Sequence, residues 1–495
     1  MAAVSEGREQ NRNQRRLYSA AQVREIDRVA IDGRTDAGYA LMQRAAAAAW
    51  RALCERKPDA SRIDIVCGPG NNGGDGYEIA TLAKHAGCEV RVWAIGEPAP
   101  GTEAALARAA WRLLGTVHPY APGALVGASL IVDALYGTGL SRPPVHAAAA
   151  AIAEIRASGA WVLAVDVPSG LAADTGQPLG QAVRADLTVS FIGRKFGLYT
   201  GQGPEHAGER GFDDLGVVPD PGIASLAQLL DAGDLHAALP RRPRGAHKGS
   251  NGFALLIGGD TGFAGAILLA ARAALRTGAG LVAVATRTEQ AGTLAAAQPE
   301  AMFRGVADAG ELKPLLEKAG VIAIGPGLGQ NQWGRDLWQA VLQTDLPLVV
   351  DADALNLLAE APSRRGNWVL TPHPGEAARL LGCDVKTIEA DRLAATRALV
   401  ARYGGCVILK GAGSLIGGRE MAVCPYGNPG MASGGMGDTL TGIVAALLAQ
   451  GLPLEDAARI GVLVHARAGD LAARGGERGL LPSDLIEALR DVVNP

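Results

Sequence analysis

The chain reads as two parallel α/β domains in tandem: an N-terminal Rossmann-like sandwich and a different C-terminal α/β domain. Three observations predict this. A length of 495 residues exceeds what one ordinary core uses. Short apolar runs alternate with longer Ala-rich helical patterns, the signature of a parallel sheet with crossover helices. Apolar residues make up 48%, with 67 glycines and only 4% aromatics, which suits Ala/Gly/Val-rich layers joined by tight turns.

The elements follow in order from local signals. Met1 to Arg16 is polar and predicts a loose tail. Ser19-Ala-Ala-Gln22 forms a capping box, and Val23, Ile26 and Val29/Ala30 follow at helical spacing, so a first helix covers about 19–31. Strands are expected at Ile63–Cys67, Val90–Ile95, Leu130–Val132, Trp161–Val165 and Leu187–Phe191. The alternation lapses at Asp213-Asp-Leu-Gly-Val-Val-Pro-Asp-Pro-Gly222, which places a junction between a first domain over 1–225 and a second over 226–495. A basic loop, Pro240 to Asn251, opens the second domain. Its strands are expected at Phe253–Ile257, Leu281–Ala285, Val321–Ile324, Leu348–Val350, Trp368–Leu370 and Cys406–Leu409, with a helix over 264–277 and two long helices at the end. No fixed-period repeat relates the halves, so they are not a duplication.

The bulk numbers exclude several function classes. Net charge is −3 with no basic stripe, which argues against a nucleic-acid partner. The six cysteines are scattered with no Cys-x-x-Cys pair, so free thiols in a reducing compartment are expected, not disulfides or zinc. No apolar run approaches membrane-spanning length and no signal-peptide core is present, so the expectation is a soluble cytoplasmic protein without a membrane partner. A homo-oligomer acting on small molecules is expected.

The most informative stretch is Asn428-Pro-Gly-Met-Ala-Ser-Gly-Gly-Met-Gly-Asp438, followed by an apolar helical pattern from about Thr439 to Leu448. Glycines there leave amides unshielded at a helix N-terminus, where unpaired N–H groups and the helix dipole favour a phosphate. Asp438 is then badly placed merely to bind an anion and better placed to move a proton. The plain alternative makes Asp438 an ordinary N-cap, but a cap needs no long glycine cradle.

In the first half, Gly68-Pro-Gly-Asn-Asn-Gly73 formally matches a dinucleotide fingerprint, with Glu97 where a ribose-binding acid would fall. The run continues to Asp75, which would oppose a pyrophosphate, so a polar ligand site is the better reading. Two further strands end in acids, at Asp133 and Asp166, the latter followed by Ser169. Strand carboxyl ends line the crevice of an open parallel sheet. Asn72, Asp133 and Ser169 thus form a candidate oxygen cage for a monovalent or other hard cation, leaving Asp166 to face substrate.

Asn71-Asn-Gly-Gly-Asp-Gly76, Asp133-Ala-Leu-Tyr-Gly-Thr-Gly139 and Asp166-Val-Pro-Ser-Gly170 resemble the NAD(P)H-hydrate epimerase family over roughly 17–225. The resemblance implies potassium held by Asn72, Asp133 and Ser169. It implies that the hydrated dinucleotide, NADHX or NADPHX, is contacted by Asn71, Asn72, Gly73, Gly74, Asp75, Gly137, Thr138, Gly139, Leu140, Ser141, Arg142, Pro143 and Asp166, with Asp166 catalytic in inverting C6 of the damaged ring. In the second half, Ile257-Gly-Gly-Asp260, Gly262-Phe-Ala-Gly-Ala266, Gly325-Pro-Gly-Leu-Gly329, Asp351-Ala-Asp-Ala-Leu-Asn356, Thr371-Pro-His-Pro-Gly-Glu376, Lys410-Gly-Ala-Gly-Ser414 and the glycine cradle together resemble the ADP-dependent NAD(P)H-hydrate dehydratases of the ribokinase-like fold over about 235–495. Here the resemblance implies adenine-nucleotide binding by Lys410, Gly411, Ala412, Gly413, Ser414 and Gly437, and dinucleotide contacts from Ala266, Gly327, His373 and Asp438. Mg²⁺ would accompany ADP, and Asp438 would be the catalytic base. The family pattern usually has Ser where this chain has Met436, which spares the backbone donors and removes a hydroxyl contact to phosphate. The rival reading is a ribokinase-like small-molecule kinase fused to a dinucleotide-sensing domain.

Overall fold

The computed structural model describes residues 14–32 and 37–495. Up to residue 13 the expected tail lies outside the described residues, whereas Arg16 opens a strand, Arg16–Tyr18, that pairs with Arg194–Lys195. The chain divides after Gln228 into two compact units.

In the first unit the capping box forms as the sequence dictates. Ser19 Oγ accepts from Gln22 N at 3.2 Å, Gln22 Oε1 accepts from Ser19 N at 2.9 Å, and the helix runs Ala20–Ile31. Seven strands make an all-parallel sheet in the order Val117–Pro119, Glu89–Ala94, Arg62–Cys67, Leu130–Ala134, Trp161–Val165, Leu187–Phe191 and Glu209–Asp213. The chain winds outward from Arg62–Cys67 and then returns to its other side at Leu130–Ala134. Adjacent loops therefore diverge between these two strands, opening a crevice at their carboxyl ends.

The edge strand Glu209–Asp213 (Glu-Arg-Gly-Phe-Asp) carries no apolar run, which is why the sequence pattern misses it and starts the junction on its last residue. A second difference concerns helix onset. The apolar helical pattern after Arg62–Cys67 starts only near Tyr77, but the helix begins at Asn71, inside the glycine run. A methyl on Gly76 would come within 2.6 Å of Ala134 Cβ and 2.8 Å of Cys67 Sγ, so this glycine lets the helix settle onto the strands.

The second unit has seven parallel strands in the order Met302–Gly305, Leu281–Thr286, Phe253–Ile257, Val321–Ile324, Leu348–Val350, Trp368–Leu370 and Cys406–Leu409. Two short antiparallel strands, Leu415–Gly417 and Ala422–Val423, extend it. The helix Met436–Ala449 is buried on nearly every side, as its almost uniformly apolar sequence requires. Three helices close the chain where two were expected: Met436–Ala449, Leu454–Ala472 and Pro482–Val492. The last was masked by its acidic and basic outer face, only Pro482, Leu485, Ile486 and Leu489 being buried. All six cysteines are free, and no described helix is long and apolar enough to cross a membrane.

Candidate active sites

In the first unit a cavity of about 560 Å³ opens at the strand carboxyl ends where the strand order reverses. Asn71, Asn72 and Asp75 enter it from one helix, Gly137 to Leu140 from the loop after Leu130–Ala134, and Asp166 from the end of Trp161–Val165. Of the other residues the sequence nominates, Gly73 and Gly74 are buried behind the lining, Gly74 against Met42 and Ala104, while Ser141, Arg142 and Pro143 do not line it. Glu97 pairs with Arg108 at 2.7 Å and is exposed outside the cavity, so the formal dinucleotide fingerprint lacks its acid.

Asp166 adopts φ 68°, a backbone region costly for a residue with a Cβ and therefore held by its surroundings. Its carboxylate is ion-paired to Lys195 Nζ, lies 3.5 Å from Ser190 Oγ and accepts from Thr138 N at 3.4 Å. Lys195 is fully buried and donates also to Phe191 O at 2.7 Å. Sequence reasoning missed Lys195, although it follows a strand end as Asp133 and Asp166 do. It also missed Asp27 and Glu103, helical residues with no motif, which share the cavity. Burial pushes the Asp75 carboxyl well above the usual range, and Asp166, Asp27 and Glu78 push it the same way. Asp27 is raised for the same first reason, burial.

Behind this lining, Asp133 and Ser169 are wholly buried. Ser169 Oγ donates to Asp133 Oδ1 at 2.6 Å and Ser169 N to Oδ2 at 2.8 Å, while Ser169 Oγ accepts from Tyr136 N at 2.9 Å. Burial pushes Asp133 up to about 6 against these neutral hydrogen bonds. The Asn72 Nδ2 amide is buried with no hydrogen-bond partner among the described residues. A Cβ on Gly137 would lie 2.9 Å from Asp166 Oδ2 and 3.1 Å from Asn72 Oδ1, so the bare glycine sits between the two.

In the second unit, Gly435, with φ 94°, is the N-cap of helix Met436–Ala449, and Asp438 is the third helical residue, not the cap. The first intrahelical bond there is Thr439 N to Gly435 O, which leaves the amides of Met436, Gly437 and Asp438 without helical acceptors. Met436 points its side chain into the core with Leu440 and Ile443, away from the cradle. Lys410 Nζ stands 2.8 Å from Asp351 Oδ1 and 3.7 Å from Glu376 Oε2, and a Cβ on Gly437 would lie 3.2 Å from that ammonium.

Asp351 occupies the N-cap position of helix Ala352–Glu360 but does not cap it. Its carboxylate turns instead to Lys410 and to Thr441 Oγ1 at 2.8 Å. Burial opposes charge on both members of the pair, yet Asp351 and Glu376 hold Lys410 above its ordinary value and Lys410 holds Asp351 below its own. Burial raises Asp438 to about 6, and Asp351 and Glu376 add to it against Lys410.

His373 caps helix Pro374–Leu381, its Nδ1 accepting from Gly375 N at 3.0 Å, while His373 N donates to Glu376 Oε2 at 2.8 Å. Its outer edge is exposed. Ala266 and Gly327 face one another beside Phe263, a methyl on Gly327 falling 2.7 Å from Phe263 Cβ. Gly411 and Ala412 are exposed in a turn closed by Ser414 Oγ donating to Gly411 O at 3.0 Å, and Gly413 is buried beneath. Arg392, missed in the sequence because it belongs to no motif, opens the helix Arg392–Tyr403, is fully buried and donates to Leu409 O and Lys410 O, fixing this turn from below.

Residues 254–491 match the NAD(P)H-hydrate dehydratase family, and residues 38–197 match the YjeF-related protein N-terminus. The bifunctional NAD(P)H-hydrate repair enzyme of Coxiella burnetii is 48% identical over 486 residues, covering 97% of this chain and 99% of that protein. Its Escherichia coli counterpart is 46% identical over 489 residues, covering 97% and 94%. Among solved structures, the ADP/ATP-dependent NAD(P)H-hydrate dehydratase from Bacillus subtilis, co-crystallized with ATP/Mg²⁺, matches at TM-score 0.50 and 30% identity over 54% of this chain and 98% of its own. A ribokinase-like superfamily protein from Enterococcus faecalis matches at TM-score 0.50 and 33% identity over 54% and 95%. The second unit has the ribokinase-like fold, and the chain belongs to the family of bifunctional NAD(P)H-hydrate repair enzymes, an isomerase and a lyase on one polypeptide.

Proposed function

We propose that the first unit interconverts the R and S epimers of NADHX and NADPHX, and that the second dehydrates the S epimer with ADP, releasing AMP and phosphate. The observation that carries the second half is Asp438, one turn into a glycine-fronted helix with Lys410 beside Gly437. Hydroxide is a poor leaving group and phosphate a good one. On this reading Asp438 takes the proton of the ring hydroxyl as its oxygen attacks the terminal phosphorus of the nucleotide. The C6–O bond then breaks with phosphate departing, and loss of a C5 proton restores the ring double bond. On this reading amides around Gly434 to Gly437 and the Lys410 ammonium stabilise the transferring charge.

Lys410 to Ser414 and Gly437 are assigned to the nucleotide, and Ala266, Gly327, His373 and Asp438 to the dinucleotide. Magnesium bound with the nucleotide would neutralise charge on its phosphates, and Glu376 and Asp438 are the carboxylates that would face it. The test is incubation of the purified chain with mixed hydrate epimers and ADP or ATP, following reduced-ring absorbance and free phosphate. Recovery of absorbance with stoichiometric phosphate supports the reading. A stable phosphorylated alcohol without recovery overturns it in favour of a kinase. Six free thiols support placing the protein in the reducing cytoplasm.

For the first unit, Asn72, Asp133 and Ser169 are assigned to potassium. Their side-chain oxygens suit a monovalent cation, and the wholly buried Asp133 carboxylate bonds only neutral groups. The cation would compensate that charge and hold the loops carrying Tyr136 and Ser169. Because it needs Asp133 ionised, potassium affinity is expected to be full above about pH 6 and to fall roughly tenfold per unit below it. Thermal shift against KCl, with choline chloride at matched ionic strength, from pH 5 to 8 measures this. An affinity flat across the range counts against Asp133 as a ligand.

Gly137→Ala offers a further check. Its methyl would wedge between Asn72 and Asp166, so epimerisation is expected to drop at least about tenfold, with an overpacking cost of about 1–3 kcal/mol. Dehydration of isolated S hydrate should be unchanged in the same preparation. Wild-type epimerisation by the alanine variant would show that the Asn72–Asp166 gap is not where the ring sits.

A further inference from the structure

Lys195 is the most unusual group in the first cavity, a cationic side chain wholly enclosed yet facing a ligand space. Its ammonium bonds Asp166 and the Phe191 carbonyl. A buried ion pair adds little stability, because desolvation of both ions offsets their attraction. Asp166 is also held at φ 68° by its neighbours, so its carboxylate is fixed at both backbone and side chain. The same lining carries a second carboxyl, Asp75, on the helix that begins at Asn71, and no cationic side chain among the described residues is hydrogen-bonded to it. Two carboxyl groups with unlike partners converge on one cavity.

Resting on the epimerase reading above, we infer that Asp75 and Asp166 act as an unlike acid–base pair across the substrate ring, with Lys195 as the positioning residue for Asp166, and that inversion proceeds by loss and re-addition of water at C6. The Asp75 proton passes to the C6 hydroxyl as the C6–O bond breaks. The ring nitrogen lone pair forms the C6–N1 double bond, and water leaves. A water molecule then adds to C6 from the opposite face and gives its proton to the Asp166 carboxylate. The product hydrate has the same atoms as the substrate apart from the exchanged oxygen. Asp75 ends ionised and Asp166 protonated, which is the state that runs the reverse inversion, and proton exchange with solvent resets the pair. The environments support these roles: burial and the carboxylates of Asp166, Asp27 and Glu78 keep the Asp75 proton on, whereas an ammonium touches Asp166.

The test uses the full chain and one isolated epimer in water enriched in ¹⁸O. One ¹⁸O atom per inversion, appearing at the epimerisation rate, is expected. Inversion without label overturns the route while leaving the epimerase reading intact, and a wild-type chain unable to invert either epimer removes that reading itself. Asp75→Asn, which preserves shape, should lower kcat for inversion by at least about 100-fold. Its KM should stay within about threefold and dehydratase activity should be unchanged. Lys195→Met should lower kcat in the same pattern. A rise in KM with kcat preserved, in either variant, would assign that residue to binding and defeat its place in the pair.

Discussion

Asp438→Asn is expected to lower dehydration of S hydrate by about 10²- to 10⁴-fold while leaving R/S interconversion at the wild-type rate. Asparagine keeps the size of the side chain in the first helical turn, so the glycine cradle and its amides should persist. The wild-type pH profile provides an independent reading of the same group. Burial first, then Asp351 and Glu376, raise Asp438 to about 6. A base works without its proton, so kcat/KM should climb through about pH 6 and level above it, and fall as acid returns the proton. The Asn variant should lose this limb. A variant that dehydrates at full speed, or that keeps the limb, would remove Asp438 from the chemistry.

The second large effect is expected from Asp166→Asn, with interconversion reduced by about 10²- to 10⁴-fold and dehydration retained. Asparagine tolerates a left-handed backbone better than most residues, so φ 68° is not the obstacle. The obstacle to stability is Lys195, whose enclosed ammonium would lose its carboxylate at a cost of about 3–5 kcal/mol. Adding Lys195→Met should restore much of the melting temperature and none of the interconversion, which separates folding from chemistry. If the double variant recovers activity with stability, Asp166 serves only the fold.

Sequence was a good guide wherever chemistry and architecture coincide at strand ends. Asp133, Asp166 and Ser169 end or follow apolar runs, and the rule that ligands gather at strand carboxyl ends was enough to nominate them, whereas Asp438 was nominated by the glycine run before its helix. Lys195 obeys the same rule and was passed over because Arg194-Lys195 looks like a solvated basic pair in one dimension. Asp27 and Arg392 were out of reach for another reason. Asp27 lies inside one helix and Arg392 opens another, and only the fold determines which helical face turns inward. Edge strands such as Glu209–Asp213 were invisible because half their surface stays wet, so they need no apolar run. Met436 is instructive in the other direction. The sequence does not tell which way residue 436 faces, and the structure buries the Met436 side chain in the core with Leu440 and Ile443.

The glycines behind the first cavity carry a consequence for how loss-of-function surveys of this protein should be interpreted. Gly76 leaves no room for even a methyl between its helix and Ala134 or Cys67, and Gly73 abuts the Gly68 main chain just as closely. Saturation mutagenesis would score these positions as harshly as Asp166, and a heat map of intolerance would draw the reactive centre several residues too wide. Abundance measured alongside turnover would divide that map in two: positions where the polypeptide disappears, and the fewer where it persists and does nothing.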